Sequence, residues 1–147
     1  MNEKIIIGSD KIFLFHNKRC SKSREVKKYL DDKNILYGVV DYLNVLPKER
    51  FLKSVLFKLE NNFQEIIRVN EKIYKNLNNN EKRHSFENMI NIVMKYPILL
   101  QRPIISIERN KKIIQSIICR PTELIKSMFN KFLWIQKSHV HIVQACK

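Results

Sequence analysis

Residues 11–30 read KIFLFHNKRCSKSREVKKYL and contain, in order, an apolar run, a polar loop and the pattern of a helix. The apolar run at residues 11–15 has two phenylalanines and an isoleucine, which is typical of a buried strand. Ser21 and Ser23 favour the start of a helix, and apolar residues then recur at helical spacing. Cys20 is therefore predicted to lie at, or just before, the first turn of this helix.

The predicted position of Cys20 favours the thiolate form of its side chain. The first backbone N–H groups of a helix have no partner within the helix and carry part of its dipole, so they attract an anion. Arg19, Lys22 and Arg24 add positive charge, and a cysteine in such surroundings has a lowered pKa. The alternative is a small apolar cysteine of a core helix, but the charged neighbours disfavour it. Cys20 is the candidate nucleophile, and the same N–H groups would hold an oxyanion.

Length and composition predict a single domain. A chain of 147 residues with 44% hydrophobic content can bury a core of ordinary size. No apolar run reaches the roughly 20 residues that span a bilayer, and the N-terminal apolar patch is too short for a signal peptide. The three cysteines are widely spaced and odd in number, which suits a reducing compartment. We therefore expect a cytoplasmic protein without a membrane partner, with its core at about residues 11–132.

The net charge of +14 suggests nucleic-acid binding at first sight. The excess comes mostly from lysines that are scattered along the chain rather than gathered in one stripe. A solvated basic surface is therefore favoured, and a nucleic-acid partner is not expected. Such a surface would still attract an oxyanion or an acidic protein.

The C-terminal residues 133–147 are predicted to form a tail. They contain His139, His141 and Cys146, but the spacing fits no standard zinc site and a fourth ligand is missing. We therefore expect no metal site.

The rest of the chain predicts further strands and helices. Strands are expected at 35–41, 103–108 and 113–118, and helices at 47–59, at 71–77, from Ser85 to 95 and from Pro121 onward. The last two strands form a hairpin. This order predicts an α/β fold with a four-stranded mixed sheet flanked by helices, and with an additional helical segment.

Three arginines follow apolar runs and are candidates for binding an anion. Arg68 follows two isoleucines, Arg102 lies within PILLQRPI (97–104), and Arg120 lies within CRPTE (119–123). Arginine stays charged and presents a planar fork of donors that suits an oxyanion. From the residues alone, the three are equally well explained as ordinary arginines at the ends of elements.

The loop HNKRCSKSR, residues 16–24, resembles the active-site loop of the glutaredoxin-coupled arsenate reductases, a branch of the thioredoxin-like superfamily. PILLQRPI and CRPTE resemble the other two signatures of this family and occur in the same order. The likeness covers about residues 11–130 and implies a thioredoxin-like fold. It also implies a cis peptide bond between Arg102 and Pro103.

The resemblance assigns roles to individual residues. It implies that Cys20 is the nucleophile, and the residue at the position of His16 is associated in the family with lowering the cysteine pKa. Ser23 is the third candidate catalytic residue. The oxyanion is bound by three arginines, which are Arg68, Arg102 and Arg120.

The reaction that the resemblance implies is the reduction of arsenate to arsenite. The Cys20 thiolate attacks arsenic and forms a covalent intermediate, glutathione attacks next, and glutaredoxin reduces the resulting species as arsenite leaves. Because Ser23 stands where a second cysteine would make a CxxC pair, the electrons come from an external thiol. Glutathione is thus a co-substrate, glutaredoxin a partner, and no bound cofactor is expected.

The alternative function is that of a redox-sensing transcription regulator, because the same branch contains thioredoxin-like proteins that bind RNA polymerase. Many such regulators carry a CxxC pair, so Ser23 and the presence of all three arginines favour the enzyme. The sequence leaves open whether arsenate or a related oxyanion is the substrate.

Overall fold

The helices and strands follow the order that the sequence predicts. The computed structural model describes residues 10–131. Its strands are β1 (Lys11–Phe15), β2 (Gly38–Val40), β3 (Ile104–Arg109) and β4 (Lys112–Ile118). Its helices are α1 (Ser21–Asp32), α2 (Glu49–Phe57), α3 (Phe63–Ile66), α4 (Lys72–Lys75), α5 (Phe86–Lys95) and α6, which covers residues 124–131 of the described range. A short 3-10 turn, Pro97–Leu99, follows α5.

The four strands form one mixed sheet in the order β2-β1-β3-β4. β2 runs parallel to β1, with Phe15 opposite Val40, and β3 runs antiparallel to β1, with Phe15 opposite Ile104. β4 is antiparallel to β3 and pairs Ile118 with Ile104. The carboxyl ends of β1, β2 and β4 and the start of β3 therefore meet at one end of the sheet.

The side chains of β1 alternate between two cores, because successive residues of a strand point to opposite faces. Leu14 packs in the core that contains Leu30 of α1 and Ile125 of α6. Phe15 packs in the core that contains Leu52 of α2 and Ile90 of α5. Helices cover both faces of the sheet, and the predicted α/β class with a flanked four-stranded mixed sheet is confirmed. The additional helical segment corresponds to α3, α4 and α5.

β2 is shorter than the strand predicted at residues 35–41. The N–H of Ile35 donates to the carbonyl oxygen of Leu30 at 3.0 Å, and Asn34 has a positive φ of 53°. Asn34 and Ile35 therefore belong to the turn that ends α1, and pairing with β1 begins only at Gly38.

The predicted tail at residues 133–147, with its two histidines and Cys146, lies outside the described residues. Within residues 10–131, no helix is both long enough and apolar enough to cross a membrane.

Replacement of Leu14 by alanine is expected to destabilise the fold by roughly 2–5 kcal/mol, the usual cost of a cavity left by a fully buried leucine. Leu14 is 0% exposed and lies in β1, which pairs with both β2 and β3. Leu36→Ala is the matched control, because Leu36 is 43% exposed, and its cost should stay below about 1 kcal/mol. Denaturant unfolding of both variants measures the difference, and equal costs would contradict the placement of Leu14 in the core.

Candidate active site

Cys20 is the N-cap residue of α1, and its backbone is extended, with φ −92° and ψ 122°. Its carbonyl oxygen accepts the N–H of Arg24 at 3.1 Å, and its own N–H donates to the carbonyl oxygen of Asn17 at 2.9 Å. Asn17 is buried, and its side-chain Oδ1 accepts the N–H of Arg19 at 2.9 Å. Asn17 thus holds the polar loop in a turn and sets Cys20 at the helix start, where the sequence predicts it.

The pKa of the Cys20 thiol is lowered. Burial alone raises this pKa, but the backbone N–H and hydroxyl of Ser23, the backbone N–H of Lys22 and the charge of Arg120 outweigh burial. Arg120 contacts the thiol directly, since its Nη2 donates to Cys20 Sγ at 3.5 Å. Cys119 behaves in the opposite way, because burial raises its pKa to about 12. Of these two thiols, Cys20 is the one suited to nucleophilic attack.

Ser23 and His16 both belong to the segment of residues 16–24 that contains Cys20. Ser23 is fully buried, and its Oγ makes no hydrogen bond of standard geometry with the described residues, yet it is near enough to Cys20 to lower the thiol pKa. The N–H of His16 donates to the carbonyl oxygen of Val40 at 3.2 Å. Burial, together with the charge of Lys27, lowers the pKa of His16. The imidazole is therefore neutral at pH 7, and an effect of His16 on Cys20 would act through hydrogen bonding rather than through positive charge.

The segments that carry Arg102 and Arg120 are held side by side at the end of the sheet. Arg102 lies just before β3 and Arg120 just after β4. The N–H of Cys119 donates to the carbonyl oxygen of Pro103 at 2.9 Å, which joins the two segments. The peptide bonds Arg102–Pro103 and Arg120–Pro121 are both cis, and the resemblance implies the first of these.

A series of hydrogen bonds that begins at Cys20 connects the three predicted arginines through backbone carbonyl oxygens. Arg120, which contacts Cys20 Sγ, also donates from Nε to the carbonyl oxygen of Arg102 at 2.7 Å. Arg102 Nη1 donates to the carbonyl oxygen of Ile98 at 2.9 Å, and Arg68 Nη1 approaches the same oxygen at 3.4 Å. The structure thus brings the three arginines together, although they are far apart in the sequence.

Arg68 lies at the outer end of this series. Its backbone N–H donates to the carbonyl oxygen of Leu99 at 2.8 Å, and its guanidinium is paired with Glu71. Burial lowers the pKa of Arg68, and the charges of Arg102 and Arg120 lower it further. The three guanidinium groups therefore repel one another, and an anion bound among them would relieve this repulsion.

Buried polar atoms without a hydrogen-bond partner gather around this site. Within residues 10–131, the buried side-chain atoms that lack a partner are His16 Nδ1, Ser23 Oγ, Tyr42 OH and Arg102 Nε. Buried polar groups are normally paired, so each unpaired one needs an explanation. Sequence reasoning missed Tyr42, although its place directly after a predicted strand was a signal, because ligands bind at the carboxyl ends of parallel strands.

A groove of about 650 Å³ lies beside the arginines and shares Arg120 with them. It runs along β4, and its charged lining residues include Lys58, Lys131 and Glu60. The groove is within the size range of small-molecule sites, and among its charged lining residues the cationic ones outnumber Glu60.

Comparison with known proteins assigns the chain to a family. The ArsC family model matches residues 15–128. An arsenate reductase of Neisseria meningitidis serogroup A is 34% identical over 95 residues, which are 64% of this chain and 81% of that protein. The structure of an arsenate reductase from Vibrio cholerae superposes with a TM-score of 0.66 at 30% identity, and the match covers 80% of this chain and 96% of that one. A putative arsenate reductase from Yersinia pestis gives a TM-score of 0.65 at 29% identity, with 80% and 99% covered.

Proposed function

The chain belongs to the ArsC family of the thioredoxin-like superfamily, and we propose that it reduces arsenate to arsenite with Cys20 as the nucleophile. The observation that carries this proposal is the contact between Arg120 Nη2 and Cys20 Sγ at 3.5 Å, at the start of a hydrogen-bonded chain of arginines. The candidate nucleophile, Cys20, therefore lies next to the arginines that are candidates for binding the anion. Such a pair is what an attack on an oxyanion requires.

The first step is the attack of the Cys20 thiolate on arsenic. A sulfur–arsenic bond forms, an arsenic–oxygen bond breaks, and the oxygen takes up a proton and leaves as water. Arg102 and Arg120 hold the remaining oxygens, because a guanidinium fork matches their geometry and offsets their charge. Since these donors are already in place before the attack, little reorganisation accompanies the transition state.

The second step uses an external thiol. Glutathione attacks arsenic, its sulfur forms a second sulfur–arsenic bond, and a further arsenic oxygen takes up a proton and leaves as water. The glutaredoxin thiolate then attacks the glutathione sulfur and forms a mixed disulfide with it, and the electron pair of the broken arsenic–sulfur bond reduces arsenic to the trivalent state. Water displaces Cys20 from arsenic, so arsenite leaves and Cys20 returns to the thiolate. Cys119 is unsuited to replace glutathione, because it is buried and its pKa is raised to about 12.

The groove beside Arg120 supports glutathione as the thiol. Glutathione is an anionic tripeptide, and Lys58, Lys131 and Arg120 give the groove the complementary charge. Arg120 borders the groove and also contacts Cys20, so its side chain connects the groove with the site of the intermediate.

The proposal is tested by measuring arsenite formation from arsenate with purified protein, glutathione and glutaredoxin. We expect arsenite with both thiol components and at most a trace when glutathione is omitted. Cys119→Ala should retain activity, which excludes an internal resolving cysteine at that position. If thioredoxin alone supports turnover, the assignment of the electron donor is wrong. If no thiol supports turnover, the enzyme assignment fails and the redox-sensor alternative gains support.

A further inference from the structure

Tyr42 lies beside the start of the Cys20 loop. It comes two residues after β2, whose last residue, Val40, is opposite Phe15 at the end of β1. The N–H of His16 donates to the carbonyl oxygen of Val40, so the two chain segments leave the sheet together. The rings of Tyr42 and Phe15 have centroids 6.0 Å apart. Tyr42 is therefore placed at the same end of the sheet as Cys20.

The described residues offer no stabilising contact to the hydroxyl of Tyr42. The residue is 1% exposed, and its OH has no hydrogen-bond partner within residues 10–131. A buried hydroxyl without a partner costs free energy, whereas a phenylalanine would fill the same space without this cost. The hydroxyl therefore calls for an explanation other than packing.

The surroundings of this hydroxyl are those of the candidate active site. Burial raises the pKa of Tyr42 to about 12, while the positive charges of Arg102 and Arg68 oppose this shift and the charge of Cys20 adds to it. The hydroxyl is thus within electrostatic range of the nucleophile and of two of the arginines. Because this pKa lies above the lowered pKa of Cys20, the hydroxyl is still protonated when Cys20 ionises and remains a hydrogen-bond donor.

We propose that the hydroxyl of Tyr42 donates a hydrogen bond to the oxyanion bound between Cys20 and the arginines. Arg102 Nε is also buried and unpaired, and a tetrahedral anion has enough acceptor oxygens for both donors. Tyr42 is then a substrate-binding residue in addition to the three arginines. This inference rests on the proposed function, because it names a further contact of the same oxyanion.

The test is the replacement Tyr42→Phe, which removes the hydroxyl and keeps the ring. Arsenate binding is measured by calorimetry in proteins that also carry Cys20→Ser, so that no turnover interferes. Tyr42→Phe should weaken arsenate binding about tenfold or more, because a donor to a charged ligand is lost. Its melting temperature without arsenate should be unchanged or higher, since an unpaired buried hydroxyl has been removed. In the protein with Cys20 intact, KM for arsenate should rise more than kcat falls.

Tyr74→Phe is the matched control. Tyr74 is also buried, in α4, and packs against Phe63, so its replacement should leave the arsenate affinity unchanged. Equal arsenate affinity in Tyr42→Phe and Tyr74→Phe would overturn the inference, and so would a loss of affinity in Tyr42→Phe that comes with a lower melting temperature. If the parent protein itself binds no arsenate, the proposed function fails and the inference fails with it.

Discussion

Cys20→Ser is expected to lower kcat for arsenate reduction below about one thousandth of the wild-type value, because the attacking group is removed. Arsenate binding should persist, since Arg102, Arg120 and the N–H groups at the start of α1 remain. Steady-state arsenite formation measures the first effect and calorimetry the second. Cys119→Ala is the matched control, because it removes the other described thiol, which is buried and has its pKa raised to about 12.

The same residue is expected to set the pH dependence of turnover. Only the thiolate attacks, so turnover should fall as the pH drops through the lowered pKa of Cys20. The stability of the fold should depend on pH in the same direction, because the folded state favours the thiolate of Cys20. This contribution to stability is present above the pKa of an unfolded cysteine, about 8.5, and is lost as the pH falls through the folded pKa. A Cys20→Ser variant that keeps wild-type turnover would contradict the account.

Arg102→Met is expected to weaken arsenate binding by roughly 10- to 100-fold, because hydrogen bonds to charged groups contribute roughly 1.5–3 kcal/mol. Arg102 is 7% exposed and its Nη1 donates to the carbonyl oxygen of Ile98 at 2.9 Å, so its guanidinium is oriented before the anion arrives, and its unpaired Nε is left to donate to the anion. Methionine has a similar length and no charge. The pKa of Cys20 should change less than in Arg120→Met, since Arg120 is the arginine that contacts Sγ.

Arg50→Met is the control for this comparison, because Arg50 is exposed on α2 and its loss changes the net charge equally. Calorimetric titration with arsenate should give the wild-type affinity for Arg50→Met. If Arg50→Met and Arg102→Met weaken binding to the same extent, the effect comes from overall charge, and Arg102 has no specific role.

The central part of the fold is predictable because its signals are local. The apolar run of β1 and the helix-starting serines of α1 are neighbours in the sequence, so the position of Cys20 between them follows from short-range chemistry. The hairpin of β3 and β4 is local in the same way, and its turn at Asn110 and Lys111, both with positive φ, is of the two-residue type.

The contacts of the candidate site are less predictable because they form over long sequence distances. Arg68 and Arg102 meet at the carbonyl oxygen of Ile98, which is 30 residues from Arg68. No property of residues 64–70 alone indicates this meeting. Tyr42 has one local signal, its place after a predicted strand, but this signal is weak until its hydroxyl is found buried and unpaired near Cys20.

The measurement that tests the account most directly is a thiolate titration by ultraviolet absorbance, comparing the wild type with Cys20→Ser. The wild type should show a thiol that ionises below the ordinary cysteine pKa, and Cys20→Ser should lack this signal. Cys119 should not interfere, because its pKa is raised to about 12. If the low-pKa signal survives in Cys20→Ser, the nucleophile lies elsewhere in the chain and the proposed enzyme function is wrong.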